Sequence, residues 1–469
     1  MLTQQLLRHG FALLLALLLT ACSSVRPWQN LPLPPDVALP TASNMSPDVG
    51  LPVKQDSSML FAITISGGGA RAAAFGYGVL DALRQTQVHW NGRDIALLDE
   101  LDVISGVSGG SIIAAYYAAF GQQTFPAFEK DFLYQNFQDT LIGNVLRPAA
   151  LYELSSPWFG RTQLLARRLD ELFNGKTFGD LAARPGLLIS ATDLSLGSSF
   201  VFSQEQFELI CSDLASVPLS FAVASSSAVP IALSPTTLKN YNAVCPRPPN
   251  SLNSAAPNDY RVRLLRDSQR SYLDAKTRPY IHLVDGGLAD NLGLRTLLEQ
   301  SLAAGGIRNA ARRTSKNAIQ KLVIIAVNAE RDPSERIDAS DKVPGTLQVF
   351  DALLFGAGAR VTQETLGLLT DTAQVWRSEL KHSAAQDIDT FTPDAQIYVV
   401  NVNLRDAPEL LQRTALLQIP TALSIVRADV HLLVEAGRHI LLESHEFKAL
   451  LKSFNGDLSA PTGWSQTEE

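Results

Sequence analysis

The chain has 469 residues, 46% hydrophobic and 18% charged, a globular composition with enough apolar side chain for a large core, which excludes a wholly disordered polymer. Its formal net charge is −7 and no basic run is longer than Arg312-Arg313, so it offers no electrostatic footprint for a phosphate backbone, and nucleic acid is not an expected partner. Its cysteines form no Cys-x-x-Cys and no Cys/His cluster at ligand spacing, so neither a metal nor a cofactor is expected.

At the N-terminus, Arg8 and His9 precede the apolar run Phe11 to Leu19, followed by Thr20-Ala21-Cys22. A charged start, a short apolar stretch and small residues before a cleavage point predict an export signal over residues 1–21. The run is too short to cross a bilayer as a helix, which needs about 20 residues. Leu19-Thr20-Ala21-Cys22 resembles a bacterial lipobox, in which the chain is cut before the cysteine and the cysteine is acylated. That predicts an exported, membrane-anchored lipoprotein held through Cys22, and Ser23 in place of aspartate points to the bacterial outer membrane. An ordinary secretory signal with a chance cysteine is the alternative. Cys211 and Cys245 then remain, either as a disulfide in an oxidising compartment or as two buried thiols. Seven prolines between Pro27 and Pro52 make residues 22–58 read as an extended linker that would hold the rest of the chain off the membrane.

From residue 59 to 455 short apolar segments alternate with helical patterns, as in an α/β layered sheet, and no linker divides the stretch into two domains. Strands are predicted at Leu60 to Ile65, Asp102 to Ile104, Leu187 to Ala191, Phe200 to Ser203, Ile281 to Val284, Leu322 to Val327 and Ile397 to Val402. Two stretches break the rhythm. Leu141 to Gly160, with two prolines and Trp158-Phe159, reads as a long loop serving as a lid or acyl-chain contact, or simply packed on the core. Thr236 to Pro279 reads as a surface insertion. Pro408 to Gln418 and Pro420 to Leu451 have helical spacing, and residues 456–469 read as a disordered tail.

Three motifs carry chemistry. Gly106-Val107-Ser108-Gly109-Gly110 lies between a strand and a helix, the setting of a nucleophile elbow, with Ser108 at a helix N-terminus that favours developing negative charge. Ser66-Gly67-Gly68-Gly69-Ala70-Arg71-Ala72 follows the first strand, and its glycines let backbone N–H groups face an oxyanion or a phosphate. Gly67, Gly69 and Ala72 also satisfy a dinucleotide fingerprint, but the acid it requires, Asp94 or Asp99, does not end a convincing second strand. Asp285-Gly286-Gly287 follows Ile281 to Val284 and by itself is more often a turn.

In this order the motifs resemble the patatin-like phospholipases, whose pattern is G-G-G-x-[K/R]-G, then G-x-S-x-G, then D-G-[G/A]. The similarity continues through Ala191-Thr192-Asp193-Leu194, Ala224 to Pro230 and Asp290-Asn291, and so covers about residues 60 to 300. Ala72 departs from it, standing where the family usually has glycine. The resemblance implies a three-layer α/β/α fold with a mostly parallel sheet, here with a helical C-terminal elaboration. It also implies a membrane-lipid or other acyl-ester substrate and a Ser-Asp dyad: Ser108 as nucleophile, Asp285 as base, and an oxyanion hole from Gly67, Gly68 and Gly69 with Arg71 ordering the loop. The rival is a triad completed by a later histidine, His382, His431, His439 or His445; His282, three residues before Asp285, falls on the opposite face of its strand. A thioesterase or general carboxylesterase, a non-catalytic lipoprotein scaffold and a nucleotide-binding protein are the further alternatives.

Overall fold

The computed structural model describes residues 23–34, 58–244, 259–311, 318–331, 337, 340–352, 358–382 and 390–454; the signal, Cys22, Cys245 and the tail from 456 lie outside them. The strands are β1 (Met59–Ile65), β2 (Gln87–Trp90), β3 (Arg93–Ala96), β4 (Val103–Val107), β5 (Gly186–Asp193), β6 (Ser199–Phe202), β7 (Thr236–Lys239), β8 (Tyr280–Val284), β9 (Ile319–Asn328) and β10 (Phe391–Asn403). The main sheet runs β10-β9-β1-β4-β5-β8-β7, with β6 paired to β5. From β10 to β5 every pairing is parallel, while β6, β7 and β8 pair antiparallel.

The parallel strands are nearly continuous apolar runs because helices cover both faces. In β9, Val323, Ile325 and Val327 enter one core and Leu322, Ile324 and Ala326 the other, the two-residue alternation of a strand buried on both sides. The helices used below are α1 (Gly69–Gln85), α2 (Gly109–Phe120), α3 (Phe137–Val145), α4 (Pro148–Leu154), α5 (Arg161–Phe173), α6 (Leu219–Ser226), α7 (Tyr260–Leu273), α8 (Gly358–His382), α9 (Leu410–Gln418), α10 (Arg427–Glu443) and α11 (His445–Lys452). Helices α1, α2 and α10 contribute to the first core, and α8 lays Leu369, Trp376 and Leu380 into the second. A Cβ on Gly78 would lie 2.1 Å from Val434 O and one on Gly437 2.4 Å from Phe75 O, so glycine is what lets α1 and α10 approach this closely. Among the described residues no helix is long and apolar enough to cross a membrane.

Several expectations change. Leu141 to Gly160 is mostly helical, as the end of α3 and all of α4; Pro148 sits at the first turn of α4, where its missing N–H is harmless. The supposed insertion at Thr236 to Pro279 supplies the edge strand β7, antiparallel to β8, and helix α7. The turn-like His89 to Arg93 is the tip of the β2–β3 hairpin, with Asn91 and Gly92 at positive φ. Of the proline-rich stretch, residues 23–34 lie against the domain: the Asn30 amide donates to Ser212 Oγ (2.9 Å) and Lys239 O (2.9 Å), and Trp28 meets the Phe221 ring at 4.6 Å. Cys211 is disulfide-bonded.

Candidate active site

The parallel half of the sheet ends in two glycine turns that touch. β4 leads into Ser108, whose φ of 49° and ψ of −124° form a strained elbow at the N-terminus of α2. β1 leads through Gly67, Gly68 and Gly69 into α1. A Cβ on Gly109 would lie 2.0 Å from Gly69 O, so only glycine allows the elbow and the loop to close on each other. The elbow is held from outside: Ser108 N–H donates to Ser226 Oγ (2.7 Å), which donates on to Ser190 O (2.6 Å).

The antiparallel half delivers Asp285. β8 overlaps β5 only at Thr192 and Asp193, so the two strands meet at their C-terminal tips and Asp285 arrives from the direction opposite to Ser108. Asp285 N–H donates to Ala228 O (3.0 Å), and Thr192 Oγ1 donates to Asp285 O (2.8 Å). Its Oδ1 accepts from Gly287 N–H (2.8 Å), while Oδ2, buried, has no hydrogen-bond partner among the described residues. Burial pushes the Asp285 carboxyl up to about 6, opposed by the Gly287 N–H and the nearby Ser108 hydroxyl. Ser108, Asp285, Gly67, Gly68 and Asn291 line one pocket.

Of the three glycines expected to form an oxyanion hole, the first already has a partner for its N–H. Gly67 N–H is committed to Asn291 O (3.1 Å), so it has no free donor to offer. Gly68 (φ 146°) and Gly69 (φ 61°) have no partner for their N–H groups among the described residues. The methyl of Ala72 fits because Gly68 has no side chain; a Cβ there would be 3.1 Å from the Ala72 Cβ. Arg71, 2% exposed, donates to Ala329 O (2.8 Å), Ile419 O (2.7 Å) and Thr421 Oγ1 (3.0 Å), tying the loop to the end of β9 and to the segment before α10. Burial, with Arg331 nearby, lowers its guanidinium to about 9, which leaves it cationic at neutral pH. Ala70 N–H reaches the same segment at Ala422 O (2.7 Å).

The other residues singled out from sequence lie elsewhere. His282 is exposed on β8 and meets Thr237 Oγ1 at 3.0 Å; His431, His439 and His445 are exposed on α10 and α11; among the described residues no histidine lines the pocket. His382 ends α8, and its side chain lies outside the described ones. Asp94 and Asp99 pair with His89 and Gln122, and neither lines the pocket. Sequence reasoning missed Ser226 and Thr192 as supports, and Glu330, Arg331 and Thr421 as pocket walls; the only signal was that Ser226, Thr192 and Asn291 fall inside the similarity blocks.

A family model described as patatin-like phospholipase matches residues 63–298. Among solved structures, human GIVD cytosolic phospholipase A2 is 12% identical with a TM-score of 0.47, over 84% of this chain and 62% of that one. VipD from Legionella pneumophila is 12% identical with a TM-score of 0.32, over 84% of this chain and 67% of its own. No curated protein matches. The glycine loop, the serine elbow and the aspartate turn all fall within the matched residues, and the chain belongs to the patatin-like phospholipase family.

Proposed function

We propose that the protein hydrolyses acyl esters of membrane lipids with Ser108 and Asp285 as a dyad. The observation that carries this reading is the buried Asp285 Oδ2, which among the described residues has no hydrogen-bond partner and shares a pocket with a strained serine and with no histidine. Oδ2 takes the proton from Ser108 Oγ as the oxygen attacks the ester carbonyl, and the Gly68 and Gly69 N–H groups receive the oxyanion. The alcohol leaves with the proton from Asp285, giving an acyl-enzyme. Water then attacks the acyl group, again yielding its proton to Asp285, and Ser108 is regenerated. An unperturbed aspartate near 3.9 is a weak base toward an alcohol; at about 6 it is better matched and still ionised at neutral pH.

The predicted signal and Cys22 support the rest of the reading, an exported lipoprotein whose anchor brings it to phospholipid at the bacterial outer membrane. Lipidomics of vesicles treated with the protein should find free fatty acid with wild type and none with Ser108→Ala or Asp285→Ala, both folded. Alanine at His382, His431, His439 or His445 should leave most of the activity; a folded but inactive histidine variant would sink the dyad. Failure of wild type to react with a fluorophosphonate that labels a control hydrolase would favour a scaffold. Release of acyl groups from thioesters but not from phospholipids would favour the thioesterase. Incorporation of labelled palmitate, lost in Cys22→Ala, tests the anchor.

A further inference from the structure

Between Asp139 and Glu153 the only charged side chain is Arg147. On that segment, α3 and α4, Ile142, Leu146, Leu151 and Tyr152 are each more than half exposed, Leu146 to 70%, and Trp158 follows at 46%. Lone exposed apolar residues are ordinary, but a group of this kind on two short helices marks a surface with a partner.

Three attachments fix where this face lies. At one end, Gln138 N–H donates to Ser424 Oγ (2.9 Å) and Leu423 N–H to Gln138 Oε1 (3.2 Å), beside Thr421 of the pocket wall. At the other, Arg161 at the start of α5 donates to Ile231 O and Thr162 N–H to Ser234 Oγ (3.3 Å), just past Val229 of the same wall. Ile231 is itself exposed and held at φ 71°, a conformation β-branched residues rarely adopt. The third attachment is the N-terminal segment. Ser23 N–H donates to Ser155 Oγ (3.2 Å), Ser156 Oγ donates to Val25 O (2.7 Å), and the Arg26 guanidinium lies 3.5 Å from the centre of the Trp158 ring. Covalent geometry puts any acyl group on residue 22 one peptide unit from Ser23.

We propose that the apolar face of α3 and α4, with Trp158 and Ile231, seats the protein directly on a lipid bilayer, with the pocket rim and the anchored N-terminus on the same side. A bilayer fits better than a protein partner. The face carries Tyr152 and Trp158, whose amphipathic rings suit the headgroup boundary, and Arg26 and Arg147, whose charges can reach anionic headgroups. The segment after Cys22 then works as a short tether that presses the pocket rim to the membrane rather than as a spacer. The purpose of this seating rests on the acyl-hydrolase reading, but its test does not.

The full chain is mixed with vesicles of phosphatidylethanolamine and phosphatidylglycerol whose acyl chains are brominated, and tryptophan emission is followed. Quenching is expected in wild type and in Ser108→Ala, and most of it should vanish in Trp158→Phe. Leu146→Asp combined with Leu151→Asp should lower hydrolysis of vesicle phospholipid about tenfold or more, while hydrolysis of a water-soluble short-chain ester stays within about twofold. The soluble ester also shows that the variant folds. Quenching that survives Trp158→Phe, or equal loss on both substrates, overturns the proposal. Absence of quenching in wild type assigns the face to another protein or a second copy and overturns it too. Quenching without hydrolysis of any lipid would leave the docking face standing and sink the acyl-hydrolase reading instead.

Discussion

Asp285 meets two opposing demands. Burial favours its protonated form, so in the folded chain the carboxyl holds its proton up to about 6, against 3.8 for an ordinary aspartate. Between those pH values the unfolded chain has already lost the proton, so stability falls as pH rises through the window and stays lower above it. The gap corresponds to about 3 kcal/mol at most. Asp285→Asn should therefore raise the urea midpoint at pH 8 and change it little at pH 3, while abolishing hydrolysis. Activity of the native protein should rise as pH increases through about 6, because only the ionised carboxylate can accept the serine proton. Ser226→Ala leaves the Ser108 N–H and Ser190 O without the hydroxyl that joins them. It should cost about 1–3 kcal/mol of stability and lower kcat with KM nearly unchanged; partial rescue by Ser226→Thr would mark Ser226 as a positioning residue. Ser108 stood out in sequence through its own glycine-flanked elbow, whereas Asp285 stood out only through the order of the three motifs, and the structure brings both to one pocket. Ser226 and Thr192 did not, since they act on residues 118 and 93 positions away, a relation no local period encodes.

Elements were legible where they are long and apolar. The predicted strands at Leu60 to Ile65 and Leu322 to Val327 fall inside β1 and β9, whose side chains face hydrophobic cores on both sides. β7, of sequence Thr-Thr-Leu-Lys, escaped because four residues with one large apolar side chain resemble loop until β8 lies beside them. Helices α3 and α4 were hidden by Gly143 and Pro148, residues that suggest a break but are tolerated at these positions. The contact of α1 with α10 allows a paired test. Gly437→Val would drive a side chain into the backbone of α1 and should destabilise by about 1–3 kcal/mol or more. Gly367→Ala, in the interior of α8 with nothing within 4 Å of the added carbon, should stabilise by about 0.5–1 kcal/mol. Denaturant midpoints of the two variants should move in opposite directions.

For the molecule as a whole, the residues matched by the family model do not make a complete sheet. β9 lies between β1 and β10, so a chain ending at residue 298 would leave the β1 edge open along a strand whose only polar side chain is Thr64. Such a chain should accumulate as insoluble aggregate, measured as the soluble fraction on expression, whereas removing residues 456–469 should leave solubility unchanged. The C-terminal elaboration expected from sequence is thus an integral layer: α10 and α11 place Val430, Leu433 and Phe447 in the main core. The mostly parallel sheet was legible from the alternation of strand and helix. Its antiparallel margin was not, because strand direction depends on how the intervening segments return.

The clasp of Arg71 on Ile419 and Thr421 adds a dimension of time. These partners stand 348 and 350 positions further along the chain. A growing polypeptide therefore contains the serine, the aspartate and the glycine loop long before it contains what fixes that loop. Contacts of such sequence separation form late, after shorter-range structure has gathered around them. A chain that has been made only as far as Asp285 thus lacks the carbonyl of Ile419 and the hydroxyl of Thr421, and the loop gains those two anchors only after the whole motif-bearing part has emerged.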